Sequence, residues 1–163
     1  MKFYYIKDEY IEFLKRYDTA VSDNKHENRP YVGIVLEING IKYYSPFTSP
    51  KEKYKTMKNG KDFRKIHNGE YGAINFNNMI PVLDSVLIPI VFDNVEDKRY
   101  RRLLKEQYRC ILAEQTEIRK TASELRALIF SEDRVLTAYD RKIKARCCNL
   151  PLLESVYQQY ENR

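Results

Sequence analysis

The 163-residue chain has no tryptophan, five glycines, two histidines and three cysteines. Each scarcity removes a class of function. Cys147 and Cys148 are adjacent and Cys110 stands alone, which leaves neither a disulfide framework nor a Cys-x-x-Cys metal pair, so a reducing cytoplasm is the expected compartment. His26 and His67 sit in no HExxH motif, and there is no Gly-x-Ser-x-Gly elbow, so zinc-dependent and serine hydrolysis lack their usual parts. No glycine-rich phosphate loop is present either, and no close pair of carboxylates lies near the hairpin described below, which argues against nucleotide hydrolysis and metal-dependent nuclease chemistry. No apolar run approaches the roughly 18 residues that cross a bilayer, and the opening Met1-Lys-Phe-Tyr-Tyr-Ile-Lys-Asp has no apolar signal core. The expectation is one cytoplasmic domain over residues 1–163, without membrane association, metal or cofactor.

What the chain does have is tyrosine and positive charge. It carries 14 Tyr and 7 Phe, and 29 Lys and Arg against 23 Asp and Glu, for a net charge of +6 and a pI near 9.1. The charge is uneven. Lys51, Lys53, Lys55, Lys58, Lys61, Arg64 and Lys65 share their stretch with only Glu52 and Asp62, and Lys98, Arg99, Arg101, Arg102, Lys105 and Arg109 share theirs with only Glu106. Two such blocks suit a polyanion, although two solvated faces would read the same way.

The stretch from Tyr31 to Lys53 organises the rest. Two runs rich in β-branched and aromatic residues flank Asn39-Gly40, a dipeptide able to take the positive φ angles of a two-residue hairpin turn. Pro46 and Pro50 cannot donate to a ladder, so the second strand is expected to leave the sheet there. Thr48, Ser49 and Lys51 lie at that exit: two hydroxyls and an ammonium on a segment stiffened by proline.

Around it, Phe3 to Ile6 reads as a strand, and Asp8 as the cap of a helix over Glu9 to Tyr17 whose stripe is Tyr10, Phe13, Leu14 and Tyr17. The polar stretch from Asp18 to Pro30 reads as a loop delivering Arg29 to the mouth of the hairpin. Tyr54 to Asn68 has no clear period. Ala73 to Phe76 reads as a strand, and Met79 to Phe92 as two more, with Pro81 and Pro89 placing them at edges or bulges. From Glu96 to Lys120 no Gly or Pro interrupts a helical pattern, which predicts one long helix whose first turns carry cations against the macrodipole. A shorter helix over Ser123 to Phe130 follows. Ser131 to Lys144 is ambiguous, and Asn149 caps a last helix from Leu150 to about Tyr160 with Leu152, Leu153, Val156, Tyr157 and Tyr160 inward. Strands first and helices last make an α+β domain, a small, strongly bent antiparallel sheet with helices around it.

A basic, tyrosine-rich surface around hydroxyls and a lysine suits RNA, because aromatic rings stack on unpaired bases while cations hold phosphates. RNA also supplies its own nucleophile, the 2′-hydroxyl. Cleavage then needs alignment, charge neutralisation and a proton for the departing 5′-oxygen, with no metal and no protein nucleophile. In that chemistry Arg29 and Lys51 stabilise charge, Thr48 and Ser49 donate to phosphate, and a protonated Lys51 serves as acid or electrostatic stabiliser.

Tyr31-Val-Gly-Ile-Val-Leu-Glu-Ile-Asn-Gly and Pro46-Phe-Thr-Ser-Pro-Lys51 resemble the signature of the ToxN/AbiQ endoribonuclease toxins of type III toxin–antitoxin systems. Met1-Lys-Phe-Tyr, Ile74-Asn75 with Met79-Ile80-Pro81, Tyr100-Arg101-Arg102 and Cys148-Asn149 with Leu152-Leu153-Glu154 follow in the family's order, so the resemblance runs nearly the length of the chain. It implies a twisted sheet similar to the Kid/MazF core and metal-independent cleavage of single-stranded RNA to 2′,3′-cyclic phosphate and 5′-hydroxyl ends. It further implies inhibition by a repeated pseudoknot RNA antitoxin, which the toxin trims and with which it alternates in a closed ring, and a part in abortive infection by phage. Thr48, Ser49 and Lys51 match the family's active-site segment, and Arg29 stands where the family carries a basic residue. The RNA-binding surface would comprise Tyr31, Lys53, Lys55, Lys58, Lys98, Arg101, Arg102 and Lys105. Two positions depart from the pattern: Lys25 and His26 occupy a region where the family can place an aromatic, and Lys105 stands where some members have tyrosine. A non-catalytic RNA-binding protein using the same patch is the alternative, and a DNA-binding or structural protein is disfavoured by the tyrosines and the lack of a helix-turn-helix pattern.

Overall fold

The computed structural model describes residues 1–163 and builds an antiparallel sheet from β1 (Lys2–Ile6), β2 (Tyr31–Ile38), β3 (Ile41–Thr48), β4 (Phe63–Lys65), β5 (Ala73–Asn75), β6 (Ile80–Pro81) and β7 (Leu87–Pro89). The strand order is β4-β5-β3-β2-β1-β7, with β6 pairing β3. Five helices pack around it: α1 (Asp8–Lys15), α2 (Lys98–Ala113), α3 (Gln115–Phe130), α4 (Ala138–Arg146) and α5 (Leu150–Val156). The α+β class and the central hairpin are as the sequence implies. Asn39 and Gly40 both take positive φ, 52° and 77°, and Ile38 closes on Ile41.

β3 is the spine of the molecule, and it does not leave the sheet at Pro46. Pro46 is buried and faces Tyr31 of β2, and the strand runs on to Thr48. The reason is a change of partner on the other side of the strand. Tyr43 and Tyr44 pair with β6, Phe47 and Thr48 pair with β5, and Pro46 falls in the gap, where a missing N–H breaks no ladder. β2 accommodates this spine with a bulge between Gly33 and Leu36. Gly33 is required there, because a Cβ would lie 2.1 Å from the Tyr44 ring.

A single cluster of 33 buried residues joins β1 to the last turn of the chain, and tyrosine fills much of it. Tyr10, Tyr31, Tyr43 and Tyr44 are at most 2 % exposed. The Tyr10 hydroxyl donates to the Pro81 carbonyl at 2.6 Å, and the Tyr43 hydroxyl bonds the Glu154 carboxylate, which is also held by Arg126 at 2.8 Å. Much of the tyrosine surplus is therefore core.

Helix boundaries depart from the sequence reading in three places. Asp8 lies in the first turn of α1 rather than capping it: its carboxylate accepts from Asn24 Nδ2 at 2.7 Å and the Glu27 N–H at 3.0 Å, while Glu27 accepts the Asp8 N–H at 3.1 Å. The expected long helix is two, broken at Glu114, whose carboxylate is drawn to Arg64 at 2.9 Å. Ser123 to Phe130 is accordingly the second half of α3. The apolar period runs unbroken through Ile111 and Ile118, so periodicity could not reveal the break. At the C-terminus α5 ends at Val156 and tightens into a 3₁₀ turn through Asn162, while Asn149 caps it as expected, accepting from the Leu152 N–H at 3.2 Å. No helix is long and apolar enough to cross a membrane.

Candidate active site

The end of β3 opens into a cavity of about 580 Å³ where Thr48, Ser49 and Lys51 meet Arg29 from the loop before β2. Four residues selected from two separate stretches thus share one wall. Ser49 and Lys51 are exposed, and Lys51 makes no ion pair. Arg29 is half-buried. Its Nε donates to the Asp23 carbonyl, and its terminal nitrogens have no protein partner.

Several contacts fix this wall. The Thr48 and Tyr54 hydroxyls are 2.6 Å apart, and Tyr54 is itself buried beneath the segment. Gly72 approaches so closely that a Cβ would lie 1.7 Å from the Thr48 carbonyl oxygen, at a φ of +99°. Gln107, buried in α2, donates to the Tyr71 carbonyl at 2.8 Å and the Thr48 carbonyl at 3.4 Å. On the Arg29 side the Asp8–Glu27 exchange pins a left-handed turn in which Lys25, His26 and Glu27 have φ of 52°, 54° and 61°. Such backbone costs about 1–2 kcal/mol per non-glycine residue, and the clamp offsets it.

The same cavity gathers residues that the sequence reading did not assign to the site. Tyr5, Ser22, Lys25, Asn28, Asn78 and Tyr100 line it. Tyr100 falls on the apolar stripe of α2 and so reads as core. Burial first, and the nearby Tyr5 phenol second, raise its pKa above the ordinary tyrosine value, leaving a neutral hydrogen-bond donor. Lys25 adds a third cation to Arg29 and Lys51. No group of three or more His, Cys, Asp or Glu side chains converges as a metal-ligand set.

The expected RNA surface divides. Tyr31 is fully buried, its hydroxyl has no partner, and burial raises its pKa, so its ring cannot stack on a base: it is a core residue. Lys53, Lys58, Lys98 and Arg102 are exposed and outside every ion pair, with Lys53 Nζ 5.9 Å from the Tyr54 ring centre. Lys55 pairs with Glu52 at 3.0 Å and Lys105 with Asp93 at 3.5 Å, while Arg101 turns inward to the Val95 carbonyl at 2.6 and 2.9 Å. Asp97, absent from the sequence reading, caps α2 by accepting from the Arg99 and Tyr100 N–H groups, which tempers the cations around that end.

A cationic cleft at a strand end, floored by hydroxyls, belongs to the class of anion-binding sites. Residues 2–158 match the family model for the toxin ToxN of type III toxin–antitoxin systems. The chain is 33% identical to the endoribonuclease ToxN of Pectobacterium atrosepticum over 98% of its own length and 94% of that protein's, and 30% identical to the endoribonuclease ToxN of Bacillus thuringiensis subsp. kurstaki over 99% and 85%. Its fold superposes with a TM-score of 0.86 on a solved structure concerned with selective inhibition of a type III toxin by a non-coding RNA pseudoknot, at 28% identity, covering 99% of this chain and 98% of that one. With AbiQ, a lactococcal anti-phage endoribonuclease of the same type of system, the TM-score is 0.81 at 25% identity, covering 99% and 98%. The chain belongs to the ToxN family of type III toxin–antitoxin toxins.

Proposed function

We propose that the protein is a metal-independent endoribonuclease that cuts single-stranded RNA by attack of the 2′-hydroxyl on the adjoining phosphorus, leaving a 2′,3′-cyclic phosphate and a 5′-hydroxyl. The observation that carries this reading is the convergence of Arg29, Thr48, Ser49 and Lys51 on one open cavity. A phosphate seated there meets two cations and two hydroxyl donors. Arg29 and Lys51 neutralise the equatorial oxygens as negative charge builds, and Ser49, exposed and unbonded, donates to one of them. If Tyr54 donates to Thr48, the Thr48 proton is directed at the phosphate in turn. Lys51 gives its proton to the departing 5′-oxygen, and the proton released by the attacking 2′-hydroxyl passes to water in the open cleft, from which Lys51 is reprotonated. A lining of three cations, Lys25 included, repels a divalent ion, which supports chemistry driven by side chains alone.

In the same reading the natural inhibitor is a repeated RNA pseudoknot held in a closed toxin–RNA assembly; the part of this that a relative supports is inhibition of a type III toxin by a non-coding RNA pseudoknot. Lys53, Lys58, Lys98 and Arg102 supply its phosphate contacts. The toxin acts as one cytoplasmic domain, and kinship of its sheet with the Kid/MazF core is tested by superposition on such a toxin. The test of function is Ser49→Ala. Cleavage in EDTA falls on the order of 10²–10³-fold, while RNA affinity and Tm stay at the wild-type values. A wild-type protein that binds RNA and cuts none, either in EDTA or with divalent metal added, would leave only the non-catalytic RNA-binding reading.

A further inference from the structure

A second cleft, of about 370 Å³, adjoins the active-site cavity, and Tyr5, Asn28 and Tyr100 line both. Beyond that shared wall it is bounded by Ile88 and Ile90 at the outer edge of the sheet, by Val91, and by Asn94 in the turn that leads into α2. Its chemistry differs from that of its neighbour. The first cavity is cationic and hydroxyl-lined, whereas this one carries no charged side chain and offers apolar faces with two amides. We propose that it is a nucleobase subsite, which receives the base of a nucleotide flanking the scissile phosphate and reads its edge. The inference rests on the ribonuclease reading above.

Three observations support it. The two clefts adjoin across Tyr5, Asn28 and Tyr100, so a strand whose phosphate sits against Arg29 and Lys51 brings a neighbouring base toward the second cleft. The apolar walls suit the faces of an aromatic ring, with Ile88, Ile90 and Val91 supplying aliphatic surface, Val91 at 53% exposure. The amides suit its edge. Asn28 uses its Nδ2 on the Lys25 and His26 carbonyls, both at 3.1 Å, which orients the side chain and leaves Oδ1 to accept from an exocyclic amino group. Asn94 makes no side-chain hydrogen bond within the protein and is free to offer both a donor and an acceptor. Tyr100, a neutral phenol on the dividing wall, separates the base from the phosphate and touches both clefts. Sequence preference at the cut thus arises from a site apart from Thr48, Ser49 and Lys51.

The test couples a change in the protein to a change in the base. Asn94→Ala/Val91→Ala alters two exposed side chains whose removal leaves the core intact. RNA substrates carry an abasic ribose, 2′-hydroxyl retained, on the 5′ or the 3′ side of the cut. For the wild type, one of these substitutions lowers kcat/KM about tenfold, and for the double variant the same substitution lowers it less than twofold, so that protein and base are coupled. An abasic penalty equal in the two proteins on both sides overturns the subsite. The cycle is repeated as Kd on RNA with a 2′-deoxy nucleotide at the cut, which needs no turnover. Coupling in affinity without cleavage of any RNA would sink the ribonuclease reading and leave the base site standing. Cleavage without coupling in either measurement would do the reverse.

Discussion

At the scale of single residues the site depends on how closely β3 is approached from outside. Gly72 is the sharpest case, because an added Cβ would overlap the Thr48 carbonyl and the backbone is already at a φ of +99°. Gly72→Ala is expected to lower stability on the order of 3 kcal/mol and to cut activity further than the stability loss explains, checked by urea titration alongside a cleavage assay. Gly40→Ala, at φ +77° with no atom within 4 Å, should cost only about 1 kcal/mol and leave activity alone. Cysteine gives an independent check on burial. Desolvation pushes the Cys147 thiol up to about 12 and holds Cys148 above its ordinary value as well; partial burial also raises Cys110, but that thiol is only half-buried and so stays within reach of a reagent. A thiol reagent at pH 8 should therefore titrate Cys110 alone in the native protein and all three cysteines in denaturant. Of the candidate site, the meeting of Thr48, Ser49 and Lys51 at one cavity was legible, because hydroxyls and a lysine beside two prolines form a local pattern at the end of a strand. Tyr31 misled because a strand tyrosine reads alike whether it faces solvent or core. Tyr100, Lys25 and Asn28 were invisible as site residues, since only the fold brings them to the end of β3.

At the scale of elements two struts hold the cavity open. One is Gln107, through which α2 reaches the backbone at Thr48 and Tyr71. Gln107→Leu leaves two carbonyls without their donor in a dry setting, so about 1–3 kcal/mol of stability should be lost, and the altered position of Thr48 should appear as a fall in kcat more than a rise in KM. The other strut is the mutual exchange between Asp8 and Glu27, which secures the left-handed turn carrying Lys25 and leads to Arg29. The hairpin and the short strands β1, β5, β6 and β7 could be read from β-branched runs, Asn-Gly and proline, all of them local signals, whereas β4 lies in a stretch without a clear period and could not. The break between α2 and α3 could not, because it depends on Arg64 reaching Glu114 from a strand distant in sequence. Nor could the passage of β3 through Pro46, which depends on a change of neighbouring strand.

At the scale of the whole molecule, the proposed function assigns the arrival of RNA to surface charge and its cleavage to the cavity. Lys53, Lys58, Lys98 and Arg102 are exposed and free of carboxylate partners, whereas Lys55 and Lys105 are partly neutralised by Glu52 and Asp93. Replacing any of the first four by alanine should flatten the salt dependence of binding to single-stranded RNA by about 0.7 in the log–log slope, and the same change at Lys55 or Lys105 should do less. These effects should be uniform across RNA sequences, unlike those at Asn94. The most direct measurement concerns the nucleophile. An RNA bearing a single hydrogen in place of the 2′-hydroxyl at the scissile nucleotide, incubated with wild-type protein in EDTA beside its all-ribose counterpart, should remain intact at that bond while the counterpart is cut to a 2′,3′-cyclic phosphate. Cleavage of the deoxy-substituted bond at a comparable rate would mean that the attacking group comes from elsewhere, and that Arg29, Ser49 and Lys51 do not perform the chemistry described here.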